Sequence, residues 1–322
     1  MRVLFMGRSH GFSLAPLAAL AERHAVVAIV ESGGRGARPD QGSALAEFAR
    51  GRGLPYLLLD KGTRGALEPF VRAAAPDLLA IASLTQLLPA AVIALARHGA
   101  INLHPSLLPR WPGPYPWLWQ YLAFEREIGV TVHALDEGED SGPILAQERV
   151  AVEPGLPLAE LTARVEPIGA RLMAAVADAL AAGRAEPRAQ GPRPTPRARA
   201  VRRDEPLIDF DGWSLERCWH ALRGTQHWLD GARWPLGRYA GAKWTIGAAQ
   251  PGPASTTAER PAGSVGRDAS GYFVAHRDGK IRVAPRLRWS RQLRNLARGL
   301  LCGGARRSAG TGGEDSTERG ER

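Results

Sequence analysis

The stretch AINLHPSLLPRWPG, residues 100–113, begins as an apolar run and ends in a turn rich in proline. Two polar side chains, Asn102 and His104, stand at the end of the apolar run. Side chains two residues apart in an extended segment point to the same side of the strand. The stretch therefore predicts a strand that brings an amide and an imidazole to one place, although both side chains would also suit the backbone groups of the following turn.

The segments around this stretch predict an α/β fold. Apolar runs of strand length alternate with segments of helical spacing up to residue 105. The predicted strands are 2–7, 25–32, 55–60, 78–84 and 99–105, and the predicted helices are 14–23, 43–53, 66–76 and 89–99. Strands that are apolar throughout are typical of a Rossmann-like parallel sheet covered on both faces. Ligands of such sheets bind beyond the carboxyl ends of the strands, where Asn102 and His104 are expected.

A second polar segment follows in GVTVHALDEGEDSGPILAQERVAV, residues 129–152. Its alternation predicts a strand, then the glycine-rich turn GEDSG, then another extended run. Four carboxylates lie on or beside the turn, those of Asp136, Glu137, Glu139 and Asp140. We expect one of them to reach His104.

Composition limits the possible functions. The chain has 322 residues, enough for two domains, and a formal net charge of +10. The charge fits a nucleic-acid partner, or a compositional bias towards Arg, Ala, Gly and Pro. No run reaches the roughly 18 apolar residues of a membrane span, and the N-terminus does not have the pattern of a secretory signal, so a cytoplasmic protein is expected. Cys218 and Cys302 have no metal-ligand spacing, which predicts reduced thiols and no metal site.

A dinucleotide-binding unit is the main alternative for the N-terminal segment. Such a unit needs G-x-G-x-x-G directly after the first strand. The chain has GRSHGF at 7–12, in which only Gly7 and Gly11 are glycines at unsuitable spacing. The sequence therefore argues against a nicotinamide site.

The rest of the sequence predicts a further helix and the division of the chain into domains. Residues 158–183 predict an amphipathic helix that is interrupted or kinked near Pro167. We expect a first domain over 1–185, a solvated Pro/Arg-rich linker over 186–203, a small OB-like β-barrel domain over 204–300 and a disordered tail over 301–322.

The pair Asn102-x-His104, the turn Ser106–Pro109 and Asp140 in LDEGEDSGPIL resemble the signature of 10-formyltetrahydrofolate-dependent formyltransferases. That family includes methionyl-tRNA formyltransferase, glycinamide ribonucleotide formyltransferase and sugar N-formyltransferases. The resemblance covers about residues 1–185. The segment IDFDGWSLERCWHALRG and the later hairpins resemble, less specifically, the C-terminal barrel domain of methionyl-tRNA formyltransferase.

The resemblance implies transfer of a formyl group from 10-formyltetrahydrofolate to a primary amine. Asn102 and a protonated His104 would donate hydrogen bonds to the oxyanion, and Asp140 would hold His104 and relay the amine proton. A carboxylate beside an imidazole raises the imidazole's pKa, which favours the cation. The expected folate-binding residues are Leu84, Gln86, Leu87, Leu88, Pro89, Leu135, Asp136, Glu137, Gly138 and Glu139.

The expected acceptor is a small-molecule amine, with initiator methionyl-tRNA as the alternative. After SLLP the tRNA enzyme usually carries Arg-Gly-Ala-Ala-Pro, whereas this chain has the aromatic and proline-rich run 111–117, and its loop 32–43 is somewhat shorter. These departures favour a small-molecule amine, such as an amino sugar or an amino-acid-like metabolite. The basic charge and the expected barrel favour initiator methionyl-tRNA, and a formyltetrahydrofolate hydrolase or folate-binding protein is a third possibility. The expected acceptor-binding residues are His10, Ser106, Trp111, Tyr115 and Trp117.

Overall fold

The structure is a computed structural model that describes residues 1–33, 43–202, 205–229, 244–252 and 260–285 of the 322-residue chain. Most of the loop 32–43, Cys302 and the tail expected at 301–322 lie outside the described residues. Cys218 is buried and free. None of the helices in the described ranges is both long and apolar enough to cross a membrane.

The N-terminal part of the chain forms a seven-stranded sheet in the order β3-β2-β1-β4-β5-β6-β7. Its strands are β1 (Arg2–Gly7), β2 (Ala25–Ser32), β3 (Tyr56–Leu59), β4 (Leu78–Ala82), β5 (Ala100–His104), β6 (Glu127–Ala134) and β7 (Ile144–Ala151). Strands β1 to β5 pair in parallel, as predicted, but β6 runs antiparallel to β5, and β7 runs antiparallel to β6. The expected parallel sheet is therefore corrected to a mixed sheet. The antiparallel direction of β7 follows from its short connection to β6, since residues 135–143 are fewer than the dozen or more that a parallel crossover requires.

Helices cover both faces of this sheet. They are α1 (Gly11–Arg23), α2 (Ala44–Gly51), α3 (Leu67–Ala74), α4 (Ala90–Ile93), α5 (Pro116–Leu122) and α6 (Leu158–Ala181). Val3 and Phe5 of β1 pack in one core with α1, α2 and α6, whereas Leu4 and Met6 pack in another with α3 and α4. This alternation along one apolar strand explains why the strand carries no polar face. Helix α6 is not interrupted at Pro167, and α4 is shorter than the predicted 89–99.

The C-terminal part consists of a helix and a second sheet. Helix α7 (Leu215–Leu229) starts after Ser214, whose Oγ accepts a hydrogen bond from the Arg217 N–H at 3.2 Å, as expected for a cap. The strands are β8 (Trp244–Pro251), β9 (Val265–Asp268), β10 (Gly271–His276) and β11 (Gly279–Pro285), in the antiparallel order β8-β11-β10-β9. The expected OB-like barrel is not confirmed, because within the described residues the sheet is open, with β8 and β9 at its edges.

The two sheets are joined through a shared core. Leu118 and Leu122 of α5 pack with Leu222 of α7 and with apolar residues of the second sheet. Gly224 lies against the ring of Tyr121, so closely that a Cβ at this position would come within 1.9 Å of the ring. A glycine is therefore required where α7 crosses α5.

We expect Gly224→Ala to destabilise the protein by about 1–3 kcal/mol or more, because the added methyl group overlaps the Tyr121 ring and forces α7 away from α5. The urea midpoint measures the effect. Gly51→Ala is the matched control, since a Cβ there meets nothing within 4 Å and alanine favours a helix over glycine. Equal midpoints for the two variants would contradict this prediction.

Candidate functional site

Neighbouring strands bring the predicted polar residues together. Asn102 of β5 pairs in register with His133 of β6, and its Nδ2 donates to His133 Nε2 at 3.1 Å. The other nitrogen of that ring, His133 Nδ1, donates to the carbonyl of Ala134 at 2.8 Å. His133 was not among the site residues predicted from the sequence. The alternation of its strand places His133 on the same face as Thr131, but the pairing of His133 with Asn102 depends on strand register.

Asp140 lies in the loop between β6 and β7 and faces both imidazoles. One carboxylate oxygen, Oδ2, is 3.5 Å from His104 Nδ1, and the other, Oδ1, is 3.5 Å from His133 Nε2. The Gly113 N–H donates to Oδ2 at 2.7 Å. Asn102, His104 and Asp140 thus form one cluster in the structure, together with His133, and their catalytic role stays a prediction.

His104 is buried between two partners. Its Nε2 donates to the carbonyl of Trp111 at 3.0 Å, while Nδ1 faces Asp140. Burial lowers the pKa of His104, and this effect outweighs the opposite effect of the Asp140 carboxylate. The sequence-based expectation of a raised pKa is therefore wrong, because it considered the neighbouring charge and not the desolvation of a side chain that is only 6% exposed. The imidazole is neutral at pH 7, with its proton on the nitrogen that faces the carbonyl.

Asp140 is ionised despite its position. Burial alone would raise the pKa of Asp140, but the two imidazoles and the Gly113 N–H together hold the pKa well below its usual range. The cluster therefore combines a fixed carboxylate with a neutral imidazole. A proton taken up at His104 Nδ1 would be stabilised by the adjacent negative charge.

The expected folate-binding residues fall into two groups. Gln86, Leu87, Leu88 and Pro89 line a cleft of about 410 Å³, which is also lined by Arg64 and other residues of the β3–α4 region. Leu87 is 66% exposed there. Leu84 and Leu135 pack against the underlying core, and the loop residues Asp136, Glu137, Gly138 and Glu139 are not part of this cleft.

The expected acceptor-binding residues also differ in environment. Ser106 is fully buried and donates to the carbonyl of Arg110 at 2.7 Å. The Trp111 indole is 8% exposed and donates to Glu125, and the Trp117 ring packs edge-on against Phe12. Tyr115 and His10 are the members of this set that are exposed to solvent. The expected aromatic wall is therefore smaller than predicted, because the Trp111 indole is buried and the half-buried Trp117 ring packs against Phe12.

Residues 188–198, here named the strap, run across the Asp140 loop. Arg188 exchanges two backbone hydrogen bonds with Ile144 at 2.8 Å, and Ala198 pairs with Pro112 and Tyr115 at 2.6 and 2.9 Å. Ala198 is fully buried. Most residues of the strap are exposed, in line with the expected linker at 186–203, but the backbone groups of Arg188 and Ala198 find partners in the loops around the cluster.

Metal ligation is not indicated by the described side chains. Within the described ranges, no three His, Cys, Asp or Glu residues are grouped so that they could hold a metal ion.

Comparison with known proteins shows a matching protein family and similar sequences. A family model described as formyl transferase matches residues 59–177. Methionyl-tRNA formyltransferase of Anaeromyxobacter sp. (strain K) is 35% identical over 276 residues, which are 83% of this chain and 84% of the relative. The Thermus thermophilus methionyl-tRNA formyltransferase is 34% identical over 240 residues, 71% of this chain and 74% of the relative.

Solved structures share the fold at lower identity. WlaRD, a sugar 3N-formyl transferase in the presence of dTDP and 5-N-formyl-THF, matches with a TM-score of 0.63 and 14% identity over 89% of this chain and 99% of its own. An N-formyltransferase from Helicobacter canadensis, in complex with folinic acid and dTDP-3-aminofucose, matches with a TM-score of 0.61 and 15% identity over 88% and 99% of the two chains. At this identity the matches establish the fold alone.

We expect Asp140→Asn to lower the imidazole pKa of His104 further, because the carboxylate is the main group that opposes the effect of burial. NMR titration of the His104 ring measures this shift. Glu137→Gln, which removes an exposed carboxylate from the same loop, is the matched control and should leave the titration unchanged. An unchanged His104 titration in Asp140→Asn would contradict the assigned contact.

Proposed function

This chain belongs to the formyltransferase family, and on that premise we propose that it transfers a formyl group from 10-formyltetrahydrofolate to a primary amine. The observation that carries the proposal is the convergence of Asn102, His104 and Asp140 at one edge of the sheet. The donor supplies a formyl group bound to nitrogen, whose carbonyl carbon an amine can attack. The chain's residues must then stabilise charge on the formyl oxygen, receive the proton of the amine, and return a proton to the donor nitrogen as its bond to the formyl carbon breaks.

Asn102 is suited to the first task. Its Nδ2 carries two hydrogens, of which one meets His133 Nε2 and the other is available for an oxyanion. The hydrogen bond to His133 fixes the amide, so little reorganisation is needed during the reaction. Donors fixed in this way contribute more than mobile ones.

His104 and Asp140 are suited to the second task. The neutral ring accepts a proton at Nδ1, directly or through water, while Nε2 stays bound to the Trp111 carbonyl. The resulting imidazolium lies against the Asp140 carboxylate and close to the developing negative charge. These proton-transfer steps keep the roles that the family signature implies for His104 and Asp140, but they start from a neutral His104 ring.

The cleft beside Leu87 suits the donor. Leu87, Leu88 and Pro89 offer apolar surface for an aromatic ring system, and Arg64 offers a cation for the carboxylates of a folate. The cleft lies next to the loop that follows β4, at the carboxyl edge of the sheet, where ligands of α/β sheets bind.

For the acceptor we propose methionyl-tRNA. Support comes from the relatives, since a methionyl-tRNA formyltransferase matches over 84% of its own length. The burial of Trp111, and the packing of half-buried Trp117 against Phe12, also reduce the aromatic surface that the sequence suggested for a small ligand. A small-molecule amine is the second candidate, favoured by exposed Tyr115 in the altered run 111–117.

We expect His104→Ala and Asn102→Ala each to lower kcat for formyl transfer by about 10²–10³, the usual effect of losing one fixed donor or proton acceptor. Formylated product from 10-formyltetrahydrofolate is the measurement. His98→Ala, near the opposite end of β5, is the matched control and should retain activity. Wild-type rates in both site variants would show that the site is wrongly assigned.

We expect two measurements to identify the acceptor, namely the dependence of its affinity on salt concentration and the identity of the formylated product. Affinity for charged initiator tRNA should fall by about 10³–10⁵ between 50 and 200 mM salt if 6–10 phosphates are contacted, whereas a small amine should show little dependence. Formylation of a panel of amino sugars and amino-acid-like amines, with methionyl-tRNA absent, would favour the second candidate. Formate release with no acceptor would identify a hydrolase.

A further inference from the structure

We propose that Gln190 of the strap is a positioning residue, which fixes the backbone of the Asp140 loop so that the carboxylate of Asp140 faces His104. Gln190 Nε2 donates to the carbonyl of Asp140 and to the carbonyl of Gly142, both at 2.8 Å. One amide group thus holds the loop at Asp140 itself and two residues beyond it. The inference rests on the proposed function, because it assigns Gln190 a role in the same reaction.

The loop needs such a constraint. Asp140 has a φ of +50°, in the left-handed region that costs a non-glycine residue about 1 kcal/mol or more. Strain of this kind persists where surrounding contacts determine the conformation. Within the loop, Asp136 Oδ1 accepts from the Gly138 N–H and from Ser141 Oγ, which shapes the turn but leaves the Asp140 carbonyl to Gln190.

The strap also holds the other partner of the imidazole. Thr195 Oγ1 accepts a hydrogen bond from the Trp111 N–H at 2.6 Å, and the carbonyl of Trp111 accepts from His104 Nε2 at 3.0 Å. The groups that contact the two ring nitrogens of His104 are therefore both anchored to one segment. A segment with this arrangement acts on the geometry of the cluster without touching the imidazole.

The ion pairs of the strap are weaker candidates for this role. Arg197 pairs with the Glu139 carboxylate, and Arg193 donates to the Glu139 carbonyl at 2.8 Å. The Arg197 side chain is 51% exposed, and exposed ion pairs contribute little. Gln190 is half-buried and neutral, so its two hydrogen bonds are not weakened by salt.

Gln190→Met tests the proposal, because methionine has a similar shape and charge but no N–H donors. We expect kcat to fall by about tenfold or more, with KM for both substrates little changed, since a small misplacement of a reacting group slows the chemical step. The acid limb of the kcat–pH profile should move to lower pH. The reason is that protonation of His104 removes the proton acceptor, and the pKa of this ring falls when the Asp140 carboxylate moves away from it.

A second readout does not require activity. In Gln190→Met the imidazole pKa of His104 should fall further by NMR titration, because the Asp140 carboxylate moves away. The other charged or titratable groups around the pair, His133, Glu139 and Arg197, are unchanged in this variant. Ala189→Met introduces the same side chain at the exposed neighbouring position and should leave both readouts unchanged.

The outcomes separate the two proposals. An unchanged His104 titration and an unchanged pH profile in Gln190→Met would overturn the inference, even if the melting temperature falls. An inactive wild-type enzyme whose His104 titration is nevertheless shifted by Gln190→Met would support the inference and refute the proposed function. If Gln190→Met does not fold, Gln190→Asn replaces it, because its amide is one methylene too short to reach both carbonyls.

Discussion

The carboxylate of Asp140 lies between the imidazoles of His104 and His133, and its side chain is 14% exposed. A buried charge is tolerated only when hydrogen-bond donors and opposite charge replace the lost water. Here the Gly113 N–H donates to the carboxylate and the imidazoles of His104 and His133 lie beside it, and each of these groups comes from a different part of the sequence. The fold must therefore bring four segments together around the Asp140 carboxylate, namely β5, β6 and the loops that follow these two strands.

The mixed sheet meets this requirement. Because β6 runs antiparallel to β5, His133 comes opposite Asn102, and the loop that leaves β6 starts beside the first residue of β5, where the Leu135 N–H donates to the Ala100 carbonyl. From there the loop returns across the sheet and brings Asp140 Oδ2 to 3.5 Å from His104 Nδ1. The pairing of β6 with β5 thus adds His133 to the cluster, while the five parallel strands provide the buried platform beneath it.

The ionisation of His104 depends on the balance between burial and charge. The carboxylate favours the imidazolium, and the nearly complete loss of water opposes it more strongly. A neutral ring next to an ionised carboxylate is prepared to accept a proton, which suits attack by an amine better than a ring that is already charged. The strap contributes to this balance, because its contacts keep both Asp140 and Trp111 in place.

Much of this protein was determined by the sequence itself. The apolar strands alternating with helices predicted the sheet up to β5, and the order Asn102, His104, Asp140 predicted the family and the three central side chains. The tertiary structure alone decided the antiparallel direction of β6, the inclusion of His133, the open second sheet and the packing of the strap. The physical reason is that local patterns specify periodicity and turn chemistry, whereas register, burial and the partner of a Pro- and Arg-rich segment depend on contacts between residues far apart in the chain.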